Sequence, residues 1–98
     1  MYNQPETPQW EYYMEYIVAD ADQQQEFLQQ VWPGAQLPKY VVQATLPRLN
    51  ELGVQGWELV HMQPVEVGVN GDICITRGDA YTWTNTYFCV FKKLKSLR

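Results

Sequence analysis

His61 is the only histidine in the chain, so a hydrolytic Ser-His-acid set would have to be built around it. It stands within Trp57-Glu58-Leu59-Val60-His61-Met62, among apolar neighbours, and no Gly-x-Ser-x-Gly elbow occurs anywhere. A half-buried strand histidine hydrogen-bonded to a neighbour is the plainer reading. Glu11, Glu15 and Glu58 offer carboxylates for acid/base work. On an extended segment, however, Glu11 and Glu15 are better read as charges that keep an exposed edge from pairing with other chains. Cys74 and Cys89 lie far apart in strand-like runs and have no histidine cluster beside them. That spacing makes neither a four-ligand metal set nor a redox pair, so both read as reduced, buried thiols and no cofactor is expected.

Recognition chemistry has one candidate cluster. Arg77, Tyr81, Trp83 and Asn85 fall close together, and a guanidinium beside aromatic rings would hold a flat or anionic small molecule. Arg77-Gly78-Asp79 matches an adhesion tripeptide recognised by integrins, but Gly-Asp is ordinary turn chemistry and the turn is the simpler reading. Lys92, Lys93, Lys95 and Arg98 put four of the seven basic residues near the C-terminus, where they read as a solvated end. Eleven acidic residues against seven basic ones leave a net charge of -4, which disfavours a nucleic-acid partner. No basic, apolar leader and no window near eighteen apolar residues occurs, so a cytoplasmic chain with no membrane partner is expected.

These residues must be positioned by a single small domain. Ninety-eight residues, 46% of them hydrophobic, bury only about two thirds of their unfolded surface. Four Trp, seven Tyr and three Phe supply the dense packing such a chain needs. Residues 1–9, with Pro5 and Pro8, read as a flexible tail before a domain over 10–95. From Trp10 to Ala19 an unbroken aromatic and β-branched run predicts a strand with Trp10, Tyr12, Met14, Tyr16 and Val18 on one face. The other face, Glu11, Tyr13, Glu15, Ile17 and Ala19, is mixed. Asp20-Ala21-Asp22 caps a short extra helix within residues 20–44, with Phe27, Leu28, Val31 and Trp32 as its apolar side. Thr45 as N-cap, Pro47 in the first turn, and Leu46, Leu49 and Leu52 predict the main helix over about 46–52. Trp57 to Val67 and Tyr81 to Lys92 read as two further strands, the first with Pro64 at an edge or bulge. Asn70-Gly71 places an extended hairpin at 68–80. Pairing about a centre near residue 74 would set Trp57 opposite Phe91, Leu59 opposite Cys89 and His61 opposite Tyr87.

Four segments carry a resemblance: Trp10-Glu11-Tyr12, Leu49-Asn50-Glu51-Leu52-Gly53, Gly56-Trp57-Glu58-Leu59-Val60 and Val90-Phe91-Lys92-Lys93. In that order they resemble a family of short bacterial and phage domains of unknown function. The resemblance implies a β-α-β-β fold and transfers no catalytic residues. It also implies that the longer stretches 20–44 and 68–80 are where a specialised function would reside. With a right-handed crossover, the expected α+β architecture is an antiparallel three-stranded sheet of order 1-3-2 with one main helix on one face. One helix leaves Tyr13, Ile17, Val60, Met62, Phe88 and Val90 in need of a second cover, from residues 20–44 or from a second subunit. The leading expectation is a small non-enzymatic interaction domain, homo-oligomeric through its sheet, with itself or another protein as partner. The alternative is a small-molecule binder for a nucleotide-like or other anionic metabolite, built on Arg77, Tyr81, Trp83 and Asn85.

Overall fold

The computed structural model describes residues 7–66, 73–77 and 80–95, with backbone only at 75–77 and 80–82. Strand β1 (Trp10–Val18) opens the domain. A short 3-10 turn (Ala21–Gln24) follows and leads into helix α1 (Gln25–Val31). Asp20 starts this segment as expected, its side chain accepting a hydrogen bond from the Asp22 amide. A second 3-10 turn (Val42–Thr45) runs directly into helix α2 (Leu46–Val54). Thr45 stands at the N-cap position the sequence suggests, but its side chain makes no capping hydrogen bond. Its hydroxyl donates back to the Val42 carbonyl at 2.7 Å, because the preceding turn already gives it helical backbone angles. Pro47 sits in the first turn of α2, where its missing amide costs nothing.

The end of α2 explains the Leu-Gly-x-x-Gly-Trp pattern. The Gly56 amide donates to the Gly53 carbonyl at 3.0 Å and the Trp57 amide to the Leu52 carbonyl at 3.0 Å. This is a paired-carbonyl helix stop, which needs a left-handed residue, and Gly56 supplies it with φ of 95°. The chain then leaves as strand β2 (Glu58–Val65).

Strands β3 (Ile73–Arg77) and β4 (Ala80–Thr84) form a separate two-stranded ladder, and β5 (Thr86–Leu94) completes the main sheet. The expected continuous strand from 81 to 92 is thus broken at Asn85. There the buried Thr84 hydroxyl donates to the Thr86 carbonyl and accepts from the Thr86 amide, while the Asn85 carbonyl takes the Ala19 amide. Local bonds of this kind let the chain leave one ladder and enter another. Asn70-Gly71 and Gly78-Asp79 lie outside the described residues, as do residues 1–6 of the expected tail and Arg98.

The main sheet is three-stranded and antiparallel with order β1-β5-β2, so β1 and β2 run parallel on either side of β5. An α+β fold with two helices on one face of this sheet results. The β2-β5 register differs from the expected one. Leu59 faces Phe91, a bulge at Val60 inserts an extra residue, and His61 then faces Val90 and Met62 faces Cys89. Trp57 precedes the strand, held by α2, and has no cross-strand partner of its own. A one-residue bulge reassigns side chains beyond it, which a uniform register cannot anticipate.

The core gathers Ile17, Ala19, Ala21, Leu28, Ala44, Leu52, Tyr87, Cys89 and Phe91, with Tyr13, Leu49, Trp57 and Met62 packed against it. Residues 20–44 therefore share the covered face with α2 and do not fold over the other face. Of the expected apolar side of α1, Leu28 is buried, whereas Val31 and Trp32 stay exposed because the helix is short and ends at Pro33-Gly34. Among the described residues no helix is long and apolar enough to cross a membrane.

Two substitutions test this packing by urea or thermal denaturation. Phe91→Ala, at 1% exposure, is expected to cost about 3 to 5 kcal/mol. Gly56→Ala is expected to cost about 1 to 2 kcal/mol, the penalty of a left-handed non-glycine residue. Its new Cβ would meet nothing closer than the Lys93 Cδ at 3.8 Å, so an unchanged midpoint would mean the helix stop is not needed.

Candidate functional site

Strand alternation sends the odd residues of β1 to the helices and leaves the even ones in solvent. The result is an unbroken row of Trp10, Tyr12, Met14, Tyr16 and Val18, all exposed, with Tyr12 at 63% and Tyr16 at 66%. The register sets Tyr12 beside Lys92, Met14 beside Val90, Tyr16 beside Phe88 and Val18 beside Thr86. On the far side of β5, Glu58, His61, Gln63 and Val65 continue the same face. The centre of the face is aromatic and aliphatic. At one end the Lys92 ammonium stands 4.3 Å from the Trp10 ring centroid and opposite Glu58, and at the other end lies Glu66.

At the other end the Tyr16 and Phe88 rings meet at 5.5 Å with a 53° tilt. They form one wall of an open concavity of about 420 Å³ completed by Gln63, Pro64, Val65 and Glu66. His61 lies on the same face and pairs its Nε2 with the Gln63 Oε1 at 3.1 Å, bonded to a neighbour as expected but exposed rather than half-buried, because no described element covers this face of β2.

The opposite face holds the strongest polar contact. Arg48 of α2 donates through Nε and Nη2 to the two oxygens of Glu15 at 2.7 and 2.8 Å, and through Nη1 to Glu51 at 3.1 Å. The Tyr13 hydroxyl donates to the same Glu15 carboxylate. Glu15 is thus not an edge-guarding charge. It is a half-buried anchor, and the Arg48 hydrogen bonds hold its carboxyl below the usual carboxylate range against the opposing effect of burial. The Tyr13 hydroxyl is shifted up, first by its bond to Glu15 and then by burial. Burial and the Glu15 charge also raise the Cys89 thiol.

The six residues expected to need a second cover divide between the two faces. Phe88 and Val90 belong to the open face. Tyr13 and Ile17 lie under the helices, Tyr13 with ring contacts to Trp57 at 5.7 Å and Phe91 at 6.1 Å, and Ile17 only 6% exposed. Met62 packs against the core, and Val60 is the exposed bulge residue. The expectation failed for Tyr13 and Ile17 because Glu15 finds Arg48, which makes the mixed face the buried one. The row at 10, 12, 14, 16 and 18 is what sequence reasoning missed as an outer surface. Its signal was a strand face with no charge.

Of the ligand candidates, the side chains of Arg77 and Tyr81 lie outside the described residues. Trp83 is half-buried opposite Cys74, and Asn85 is occupied as the link between β4 and β5, its Oδ1 accepting from the Thr86 hydroxyl. Cys74 is exposed, contrary to the expectation of two buried thiols, because its ladder lies apart from the main sheet. Among the described residues no three His, Cys, Asp or Glu side chains gather in a way that would hold a metal ion. No protein-family model, curated protein or solved structure matches the chain.

The Glu15 anchor makes a pH-dependent prediction. Its carboxyl titrates lower in the folded than in the unfolded chain, so its contribution is full above the unfolded value of about 4.3 and fades as pH falls below it. Glu15→Gln is expected to lose about 1 kcal/mol at neutral pH, a modest figure because solvent reaches the Arg48 side. The gap to the parent should close below about pH 4. A gap independent of pH would show that packing, not charge, carries the contact. Thiol labelling of the native protein is expected to modify Cys74 at once and Cys89 only on unfolding. Equal rates would contradict the burial of Cys89.

Proposed function

We propose that this chain is a small non-enzymatic interaction domain that self-associates through the open face of its three-stranded sheet. The observation that carries the reading is the row Trp10, Tyr12, Met14, Tyr16 and Val18, continued by Val90 and Leu94 without a described element above it. With side chains of roughly 150 to 250 Å² for the aromatic members, the exposed part of the row and Leu94 presents about 700 Å² of mainly apolar surface. A standard interface takes about 800 Å² from each partner, so one such face against another is of the right size. Isolated monomers rarely expose a contiguous apolar patch larger than about 300 to 600 Å².

A second copy suits this face because the patch is self-complementary in chemistry: an apolar centre meets an apolar centre about a two-fold axis. Membership of the short bacterial and phage domain family belongs to the same proposal and rests on the four sequence segments Trp10-Glu11-Tyr12, Leu49-Asn50-Glu51-Leu52-Gly53, Gly56-Trp57-Glu58-Leu59-Val60 and Val90-Phe91-Lys92-Lys93.

Light scattering across a concentration series tests it. The parent is expected to have at least twice the monomer mass at micromolar concentration. Val90→Lys places a charge at the centre of the face on the middle strand, far from either sheet edge, and is expected to weaken association at least tenfold while leaving the fold intact by circular dichroism. A parent that is monomeric at high micromolar concentration would overturn the reading.

A further inference from the structure

The two outer strands of the sheet are protected unequally. The β2 edge carries a bulge at Val60 and a proline at position 64, both of which discourage a further strand. The β1 edge carries neither along its nine residues, and among the described residues no strand pairs with it from Trp10 to Val18. Just beyond, Tyr40 bridges to Asp20 and closes the edge. The open stretch is therefore bounded and matches the length of the strand itself.

The hydrogen-bonding sense of β1 follows from its two ends. The Lys95 amide donates to the Gln9 carbonyl at 2.7 Å and the Ala19 amide to the Asn85 carbonyl at 2.8 Å. Both Gln9 and Ala19 are odd positions, and in an antiparallel ladder bonded and non-bonded pairs alternate. Within Trp10–Val18 the odd residues thus turn their amides and carbonyls toward β5, and just past the strand the Ala19 carbonyl turns the other way and accepts from the Val41 amide at 3.1 Å. The even residues Trp10, Tyr12, Met14, Tyr16 and Val18 turn theirs to the outer edge, where among the described residues no strand receives them.

We propose that a second copy of this chain adds to this edge, β1 against β1 and antiparallel, with a two-fold axis at Met14. Pairing through bonded even residues keeps the open faces of both copies on the same side. Within that constraint, charge selects the register. A shift that centres the axis on Tyr13 sets Glu11 opposite Glu15, and one that centres it on Glu15 sets Glu15 opposite itself, both of which place like charges directly opposite each other. The axis at Met14 sets Tyr12 opposite Tyr16, Trp10 opposite Val18, Glu11 opposite Ile17 and Tyr13 opposite Glu15. It overlaps the whole strand and opposes no like charges. The product is a six-stranded sheet in the order β2-β5-β1-β1-β5-β2 with one continuous aromatic face. This extends the self-association reading above: the edge contact builds the wide sheet, and the open face remains available to cover another.

The test separates the two contacts. Met14→Ala and Met14→Pro remove the same side chain from the open face, but only the proline removes an amide that points to the outer edge, away from the β5 pairing of Met14 with Val90. Met14→Pro is expected to halve the mass seen by light scattering, and Met14→Ala to keep it. In a Cys74→Ser background, Met14→Cys brings two sulfurs together at the axis, where paired Cα atoms lie about 5.5 Å apart, within disulfide reach. It is expected to give a cross-linked dimer as the main product on mild oxidation. Trp10→Cys in the same background is expected to stay uncross-linked, its two copies being about 27 Å apart at eight residues' rise. If the parent associates but Met14→Cys fails to cross-link and the two Met14 variants have equal mass, the edge contact is overturned while the face contact stands. A strictly monomeric parent overturns both.

Discussion

Arg48 grips both oxygens of Glu15 from across the helix-sheet boundary, 33 residues away in sequence. Two parallel charge-assisted bonds fix orientation as well as distance. Because strand side chains alternate, anchoring Glu15 beneath α2 also places Tyr13 and Ile17 beneath the helices and forces Trp10, Tyr12, Met14, Tyr16 and Val18 outward. Apolar content alone would bury the other face. The small and slender residues of the mixed face, Ile17 and Ala19, meet Tyr87, Cys89 and Phe91 of the middle strand and Leu28 and Leu52 of the helices. The larger aromatic side chains remain as surface.

That arrangement joins stability to association in one strand. The inner side of β1 belongs to the core, its outer side carries the aromatic row, and its free edge carries the backbone groups of the same even residues, which no described strand receives. Any partner reaching the edge also meets the row. The contrast with β2 is physical: a bulge and a proline blunt one side of the sheet, and among the described residues nothing comparable blunts the other. Among the described residues one sheet edge and one sheet face are therefore left open, the two surfaces on which the proposed self-association rests.

Much of the fold was legible locally. The Leu-rich stretch closed by Gly53 and Gly56 gave α2 and its stop, since helix ends are written in nearby residues. The alternating aromatic run gave β1, and Asp20 gave the start of the turn before α1. What escaped depended on distant partners. Whether β1 buries its odd or even residues is decided by Arg48, and no periodicity within β1 encodes that. The bulge at Val60 shifts the register without a glycine to announce it, and the break at Asn85 rests on Thr84 and Thr86 bonding locally inside an otherwise strand-like run. The candidate surface was half legible for the same reason: Phe88 and Val90 fell on the open face, whereas Tyr13 and Ile17 followed Glu15 inward.

Hydrogen-deuterium exchange of the native protein, followed in β1 at two concentrations, addresses the central claim that this strand is where copies meet. The amides of Tyr12, Met14 and Tyr16 face the free edge. With no partner strand among the described residues, they should exchange quickly in dilute solution and slow at least tenfold at high concentration, with α2 unchanged between the two. Exchange in β1 that is the same at both concentrations would contradict the account.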